Sequence, residues 1–191
     1  MSTIRPLVVL LAAGSGSRFH GPGHKLTSIL GGTSVIDRAL HAALAADIGP
    51  VVVVTGATAL NLPVGVTRLP NPEWERGLAS SLQVAVHHAR EAGHDSIVVG
   101  LGDQPLVTPE AWRRVAQADS PIAVATYDGT RGNPVKLEAA TWAELPTTGD
   151  EGARPVMRAH PGWVVEVPCT GSAFDVDTTQ DLEELTKRMD D

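Results

Sequence analysis

LVVLLAAGSGSRFHGPGHKL, residues 7–26, decides how this chain is read. A short continuous apolar run, Leu7 to Leu11, has the pattern of a strand buried on both faces. It ends in small residues, glycine and serine among them, followed by Arg18 and, seven residues later, Lys25. A secretory signal has the same order: a basic residue (Arg5), an apolar core, then the small residues Ala12, Ala13 and Gly14. Here the core is at the short limit and Pro6 starts it. A dinucleotide loop needs a third glycine where Phe19 stands, and an acidic residue after the second apolar run, which instead reads VVVVTG. A P-loop needs Gly-Lys-Ser/Thr, and none follows. What remains is a glycine-rich turn after a buried strand. In one reading the amides of Gly14, Ser15, Gly16 and Ser17 point at a phosphate chain, Arg18 forks onto its oxygens and Lys25 adds a mobile charge. In the other it is a tight strand-to-helix turn with solvated basic residues.

Composition narrows the class. A chain of 191 residues has the length of one well-buried domain. Its formal charge, 15 − 22 = −7, argues against a nucleic-acid-binding surface. An acidic chain that handles phosphates needs local arginine or lysine and a divalent cation. The single cysteine, Cys169, excludes an intrachain disulfide framework and a cysteine-built zinc cluster. No run approaches the roughly 20 apolar residues of a membrane span. The expected location is the cytoplasm, with no membrane and no nucleic acid as partner.

Outward from the opening stretch, strands and helices alternate. Thr33 to Ala46 carries Val35, Ile36, Ala39, Leu40 and Ala43 at helical spacing, with Thr33 or Ser34 as N-cap. Val51 to Thr55 and Ser96 to Leu101 read as buried strands, Val64 to Leu69 as a shorter one, and Leu78 to Ala92 as a helix. Pro109 opens another helix. Ile122 to Tyr127 and Pro134 to Leu137 read as strands around an Asp128-Gly129 turn, Trp163 to Val167 and Phe174 to Val176 as late strands, and Thr178 to Met189 as the final helix. The alternation predicts a single three-layer α/β/α domain over residues 1–191, with a mixed, mainly parallel sheet. Ligands of such sheets collect beyond the carboxyl ends of the strands.

Several blocks fall there. Asp103, in Gly102-Asp103-Gln104-Pro105, ends the third strong strand and is a natural magnesium ligand beside a phosphate loop; the alternative is a plain turn. Asp175 and Asp177 share a face if the segment is extended, one completing a metal site and the other capping the last helix. Ser80 and Ser81, after Asn71-Pro72-Glu73-Trp74 and Gly77, stand where a helix begins, as an anion contact or simply a helix start. Asp150 and Arg154 make either a weak helix pair or an arginine aimed at a phosphate. The histidines offer no chelating set: His87 and His88 diverge, and His20 and His24 lack a third ligand.

Together with LAAGSGSR and Lys25-Leu26, these blocks, Arg131-Gly132-Asn133-Pro134, GDEGAR at 149–154 and DVDT at 175–178 resemble the MobA-like nucleotidyltransferases, in particular the molybdenum cofactor cytidylyltransferase branch. The resemblance implies a Rossmann-like fold of the nucleotide-diphospho-sugar transferase type. It implies a nucleotide site on Leu11, Ala12, Ala13, Gly14, Ser15, Gly16, Ser17 and Arg18, joined by Lys25, Ser80, Ser81, Gly102 and Asp103. Arg18, Lys25 and Asp103 are its catalytic residues. It places Mg²⁺ (or Mn²⁺) on Asp103, with Asp175 the better second ligand and Asp177 after it. Gln104, Pro105, Arg131, Gly132, Asn133, Pro134, Asp150 and Arg154 fall on the acceptor side. The substrate it implies is CTP, since the loop reads Ala-Ala-Gly, and the acceptor is molybdopterin; a molybdenum enzyme or its chaperone is a further partner. Two departures stand out: Asn133 replaces the histidine of the family's Gly-His-Pro, and a longer gap between Arg18 and Lys25 leaves Arg18 the firmer anchor. Two other functions fit the same chain. One is an NAD(P)H-dependent oxidoreductase of the nicotine blue oxidoreductase type, and the other a non-catalytic nucleotide-binding factor that helps mature a molybdenum enzyme.

Overall fold

The computed structural model describes residues 5–190; the ends of the expected 1–191 unit, residues 1–4 and 191, lie outside the described residues. β1 (Leu7–Ala12) leads to a two-stranded ribbon, β2 (Ile29–Leu30) and β3 (Thr33–Ser34), then α1 (Val35–Ala45), β4 (Val51–Thr55) and β5 (Thr67–Pro70). α2 (Leu78–Glu91), β6 (Ser96–Leu101), α3 (Pro109–Gln117), β7 (Ile122–Tyr127) and β8 (Thr130–Glu138) follow, and α4 (Arg154–Ala159), β9 (Val164–Pro168) and α5 (Thr179–Asp190) close the chain. The main sheet has seven strands in the order β5-β4-β1-β6-β8-β7-β9. β8 runs against both of its neighbours and every other pairing is parallel, so the sheet is mixed and mainly parallel, as expected.

Period-two alternation divides the core into two layers. Val8, Leu10 and Ala12 face α1 and α3, while Leu7, Val9, Leu11 and Ala13 face α2 and α4. Both sides of β1 are therefore apolar, which is why it reads as an unbroken run. Trp112 of α3, 1% exposed, lies on the sheet over Gly100, where a Cβ would come within 2.6 Å of its indole ring. The glycine lets the indole reach the strand, and burial of such a ring stabilises by about 3–5 kcal/mol relative to alanine. Helix starts follow the local signals: Ser34 accepts from Asp37 N, and Thr108 accepts from Ala111 N with Pro109 behind it.

Three expected strands differ, one of them β8, which begins at Thr130, four residues before the expected Pro134. β5 begins at Thr67 because Val64 is fully exposed and Gly65 adopts a φ of 91°. Phe174 to Val176 makes no ladder. Its apolar pattern serves a separate cluster, in which the wholly buried Val176 packs with Phe19, Leu30, Val35 and Leu185 of α5.

Candidate active site

The loop leaving the carboxyl end of β1 starts from a fixed base: Ala13 is buried, and its carbonyl accepts from Ala57 N (3.0 Å) beyond β4. It turns at Gly16, whose φ of 63° favours glycine, and Phe19 N donates to Gly16 O (2.8 Å). Phe19 is buried against Val176 and Leu185, which anchors the loop to the segment carrying Asp175 and Asp177. His24 pins the rest: its Nδ1 accepts from Leu26 N (3.2 Å), so the proton lies on Nε2, which donates to Gly14 O (3.2 Å). This caps the short helical turn Lys25–Thr27 and directs Lys25 inward. The histidine is structural, and no spacing marked it.

Lys25 Nζ stands 2.6 Å from Asp103 Oδ2 and 2.9 Å from Asp177 Oδ1, its side chain only 11% exposed. Arg18 Nη2 takes the other oxygen of Asp177 at 2.9 Å, but its side chain is 74% exposed. Lys25, not Arg18, is therefore the more deeply engaged cation. Burial works against the Lys25 ammonium, yet the Asp103 and Asp177 carboxylates outweigh it and hold its pKa above the ordinary 10.5. Asp103 stays fixed because its carbonyl accepts from Val176 N (2.9 Å), tying the end of β6 to the late loop. Burial pushes the Asp175 pKa above 3.8, with the neighbouring charge of Asp103 adding to it. The helix-capping alternative for Asp177 fails: Asp181 Oδ2 accepts from the amides of Asp177 and Thr178, and Thr178 Oγ1 accepts from Asp181 N. The Asp177 side chain is left for the cations.

Two cavities meet at this network. The first, about 610 Å³, is walled by Leu11, Ala12, Ala13 and Gly14 to Arg18, by Trp74 to Leu78 and by Ser81; the second, about 530 Å³, by Arg131, Gly132, Asn133 and residues 150–154. Arg18, Lys25, Asp103, Asp150 and Asp177 line both.

Other expected residues stand elsewhere. Ser80 is buried, lines neither cavity and donates to Gly77 O (2.8 Å), while Asn71 Nδ2 donates to both serine hydroxyls. The amides opening α2 are already taken, Leu78 N by Asp150 Oδ1 (3.1 Å) and Ala79 N by Gly149 O (2.9 Å). Asp150 is therefore a helix cap and not the partner of Arg154. Gly102 is buried outside both cavities, its amide donating to Leu11 O (2.8 Å). Gln104, Pro105 and Pro134 are likewise buried and line neither cavity. Gln104 Nε2 instead donates to Asp175 Oδ1 (2.7 Å) and to Ala173 O (3.1 Å), fixing a carboxylate from behind. Two adjacent motifs signalled chemistry there without revealing which residue supports which.

The model of the MobA-like NTP transferase domain matches residues 8–163. The chain belongs to this family. PucB, a purine catabolism protein of Bacillus subtilis, is 27% identical over 198 residues, spanning 95% of this chain and 96% of PucB. Rv0371c of Mycobacterium tuberculosis superposes with a TM-score of 0.79 at 26% identity, covering 97% of this chain and all of that one. Its complex with manganese gives 0.74 at 26% identity over 96% and 98%. A nucleotidyl transferase from Methanothermobacter thermautotroptrophicus gives 0.81 at 25% identity over 96% and 97% of the two chains. This MobA-like domain is a nucleotidyltransferase, and the family resemblance drawn from the sequence blocks is borne out. Among the described residues no helix is long and apolar enough to cross a membrane.

Proposed function

We propose that the protein transfers CMP from CTP to a phosphorylated acceptor, with molybdopterin the acceptor its sequence blocks imply, and releases pyrophosphate. The observation that carries this reading is the placement of Lys25 and Arg18 against Asp103 and Asp177 at the junction of two cavities, with Asp175 lining the second. One cavity takes the nucleotide on the loop amides, the other the acceptor. The acceptor phosphate attacks the α-phosphorus in line; being already an anion it needs no general base, so the chain's work is orientation and charge neutralisation. Lys25 exchanges its carboxylate partners for phosphate oxygens, and Arg18, the more exposed, follows the leaving pyrophosphate.

The residues fit a divalent cation. Three carboxylates face two cations, and Asp103 Oδ1 is buried without a hydrogen-bond partner. No group of three or more His, Cys, Asp or Glu forms a metal cage among the described residues. That suits magnesium, which takes one or two carboxylates and fills its shell with phosphate oxygens and water. Asp103 and Asp175 would hold Mg²⁺ or Mn²⁺, which when bound neutralises phosphate charge. The dinucleotide alternative gains no support, since Phe19, at the third-glycine position, is packed into a cluster.

The test is pyrophosphate release with each NTP, Mg²⁺ and molybdopterin. CTP is expected to give turnover, and Asp103→Asn to lower it about 100- to 1,000-fold. NAD(P)H oxidation on a dye, with no pyrophosphate from any NTP, overturns the reading.

A further inference from the structure

The phosphate loop presents its amides in a definite sense. Gly14 to Arg18 line the first cavity, whereas His24 and Phe19 line neither cavity, so both stand behind the loop. Each holds one loop carbonyl from there: His24 Nε2 donates to Gly14 O (3.2 Å) and Phe19 N to Gly16 O (2.8 Å). In a planar trans peptide the carbonyl and the following N–H point in opposite directions. With the Gly14 and Gly16 carbonyls held behind the loop, the amides of Ser15 and Ser17 are turned to its cavity side. Among the described residues neither amide donates a hydrogen bond within the chain, and both serines are exposed. Phe19 is buried, so the core fixes the Gly16 carbonyl, but the Gly14 carbonyl depends on one imidazole. Glycine at 14 leaves that peptide free to turn, and a turned peptide would set a carbonyl against the phosphates. The imidazole reaches the loop because residue 16 has no side chain: a Cβ there would stand 3.1 Å from His24 Nε2. Its other nitrogen accepts from Leu26 N (3.2 Å), which keeps the proton on Nε2.

We infer that His24 is the positioning residue of the phosphate loop: its neutral imidazole, protonated on Nε2, holds the Gly14 carbonyl away from the nucleotide cavity and so aims the Ser15 amide at the phosphate chain; this rests on the transferase reading above. The ring touches no substrate and moves no proton. It acts through two backbone groups at once, the Gly14 carbonyl and the Leu26 amide, so the loop donors and the turn carrying Lys25 keep one spacing. A triphosphate then meets donors already set, and the loop need not be ordered on binding.

The probe is inorganic triphosphate without metal, titrated into the full chain. Two substitutions separate the ring nitrogens. His24→Asn keeps an acceptor at the position of Nδ1 and loses the donor; His24→Gln keeps a donor at the position of Nε2 and loses the acceptor. His24→Asn is expected to weaken triphosphate binding about five- to tenfold. Its thermal unfolding should stay close to wild type, because the cap of the Lys25–Thr27 turn is retained. His24→Gln is expected to bind within about twofold of wild type yet to unfold at lower temperature. The two variants thus fall in opposite order in the two measurements, which loss of stability alone does not produce. The wild type supplies an independent readout in ¹⁵N spectra: His24 is expected as the Nε2–H tautomer, and triphosphate is expected to move the Ser15 and Ser17 amide resonances. An Nδ1–H tautomer, unchanged triphosphate affinity in His24→Asn, or affinities that follow stability in both variants overturns the inference. Triphosphate binding is read without turnover, so a chain that shows this pattern but releases no pyrophosphate from any NTP refutes the transferase reading alone.

Discussion

Lys25→Met keeps the side-chain stem and removes the charge that two carboxylates share. At an effective dielectric of about 20, contacts of 2.6 and 2.9 Å are each worth about 6 kcal/mol of gross attraction. Desolvation of the ammonium and carboxylates cancels most of that. The observable cost is that of leaving buried charge unpaired, about 3–5 kcal/mol for a fully buried pair. With side chains 11%, 18% and 23% exposed, the lower end applies, about 3 kcal/mol. The sign in pH follows from the raised Lys25 pKa: its contribution is complete below the unfolded value of 10.5 and is lost as pH rises through the higher folded value. The gap between wild type and variant in urea unfolding should be flat from neutral pH to 10.5 and close only above it. Mn²⁺ supplies the second readout. It should stabilise Lys25→Met by about 2.7 kcal/mol at a hundred times its dissociation constant, and should bind the nucleotide-free wild type more weakly, because Lys25 competes for Asp103. A variant as stable as wild type, or one that binds Mn²⁺ no more tightly, refutes the competition.

Two further substitutions probe the supports. Gln104→Leu removes the donor to Asp175 and should cost about 1–2 kcal/mol, softened because Gln104 Oε1 is itself buried and unpartnered. It should raise the already elevated Asp175 pKa further. Protonation of Asp175 favours the fold below 3.8 and ceases to as pH rises through the folded value, so urea melts should show the variant's deficit shrinking towards acid pH, with a higher Mn²⁺ requirement. Gly77→Ala places a Cβ 2.6 Å from Asp150 Oδ1 and from Gly149 O at a φ of 93°. A loss of about 1–3 kcal/mol in thermal or urea unfolding, together with weaker CTP binding, is expected.

The elements that sequence resolved are those whose burial pattern is local. β1, β4 and β6 are apolar on both faces because helices cover both, and β6 and β7 begin and end at the expected residues. Phe174 to Val176 misled because an alternating apolar pattern states only that two side chains are buried, not that the backbone is paired. Asp103, Asp177 and Lys25 were legible as types in motifs, but their meeting depends on contacts 78 and 152 residues apart in sequence. The roles of Asp150 and Gln104 were not legible, because a cap supplied from 72 residues away and a donor 71 residues from its carboxylate leave no local trace.

Strand order accounts for where the two cavities join. β6 lies between β1, which launches the phosphate loop, and β8, which runs antiparallel to it. The carboxyl end of β6 therefore delivers Asp103 beside the loop on one side and beside the start of β8, with Arg131 to Asn133, on the other. An all-parallel sheet would put a helix connection at that second side. The reversed strand instead brings its own start, with Arg131 to Asn133, directly next to the carboxylate, where these residues line the second cavity. In the proposed transfer, nucleotide and acceptor would then occupy neighbouring cavities with Lys25 and Asp103 between them. In-line attack needs the attacking and leaving oxygens on opposite sides of the phosphorus, which two cavities meeting at these residues allow.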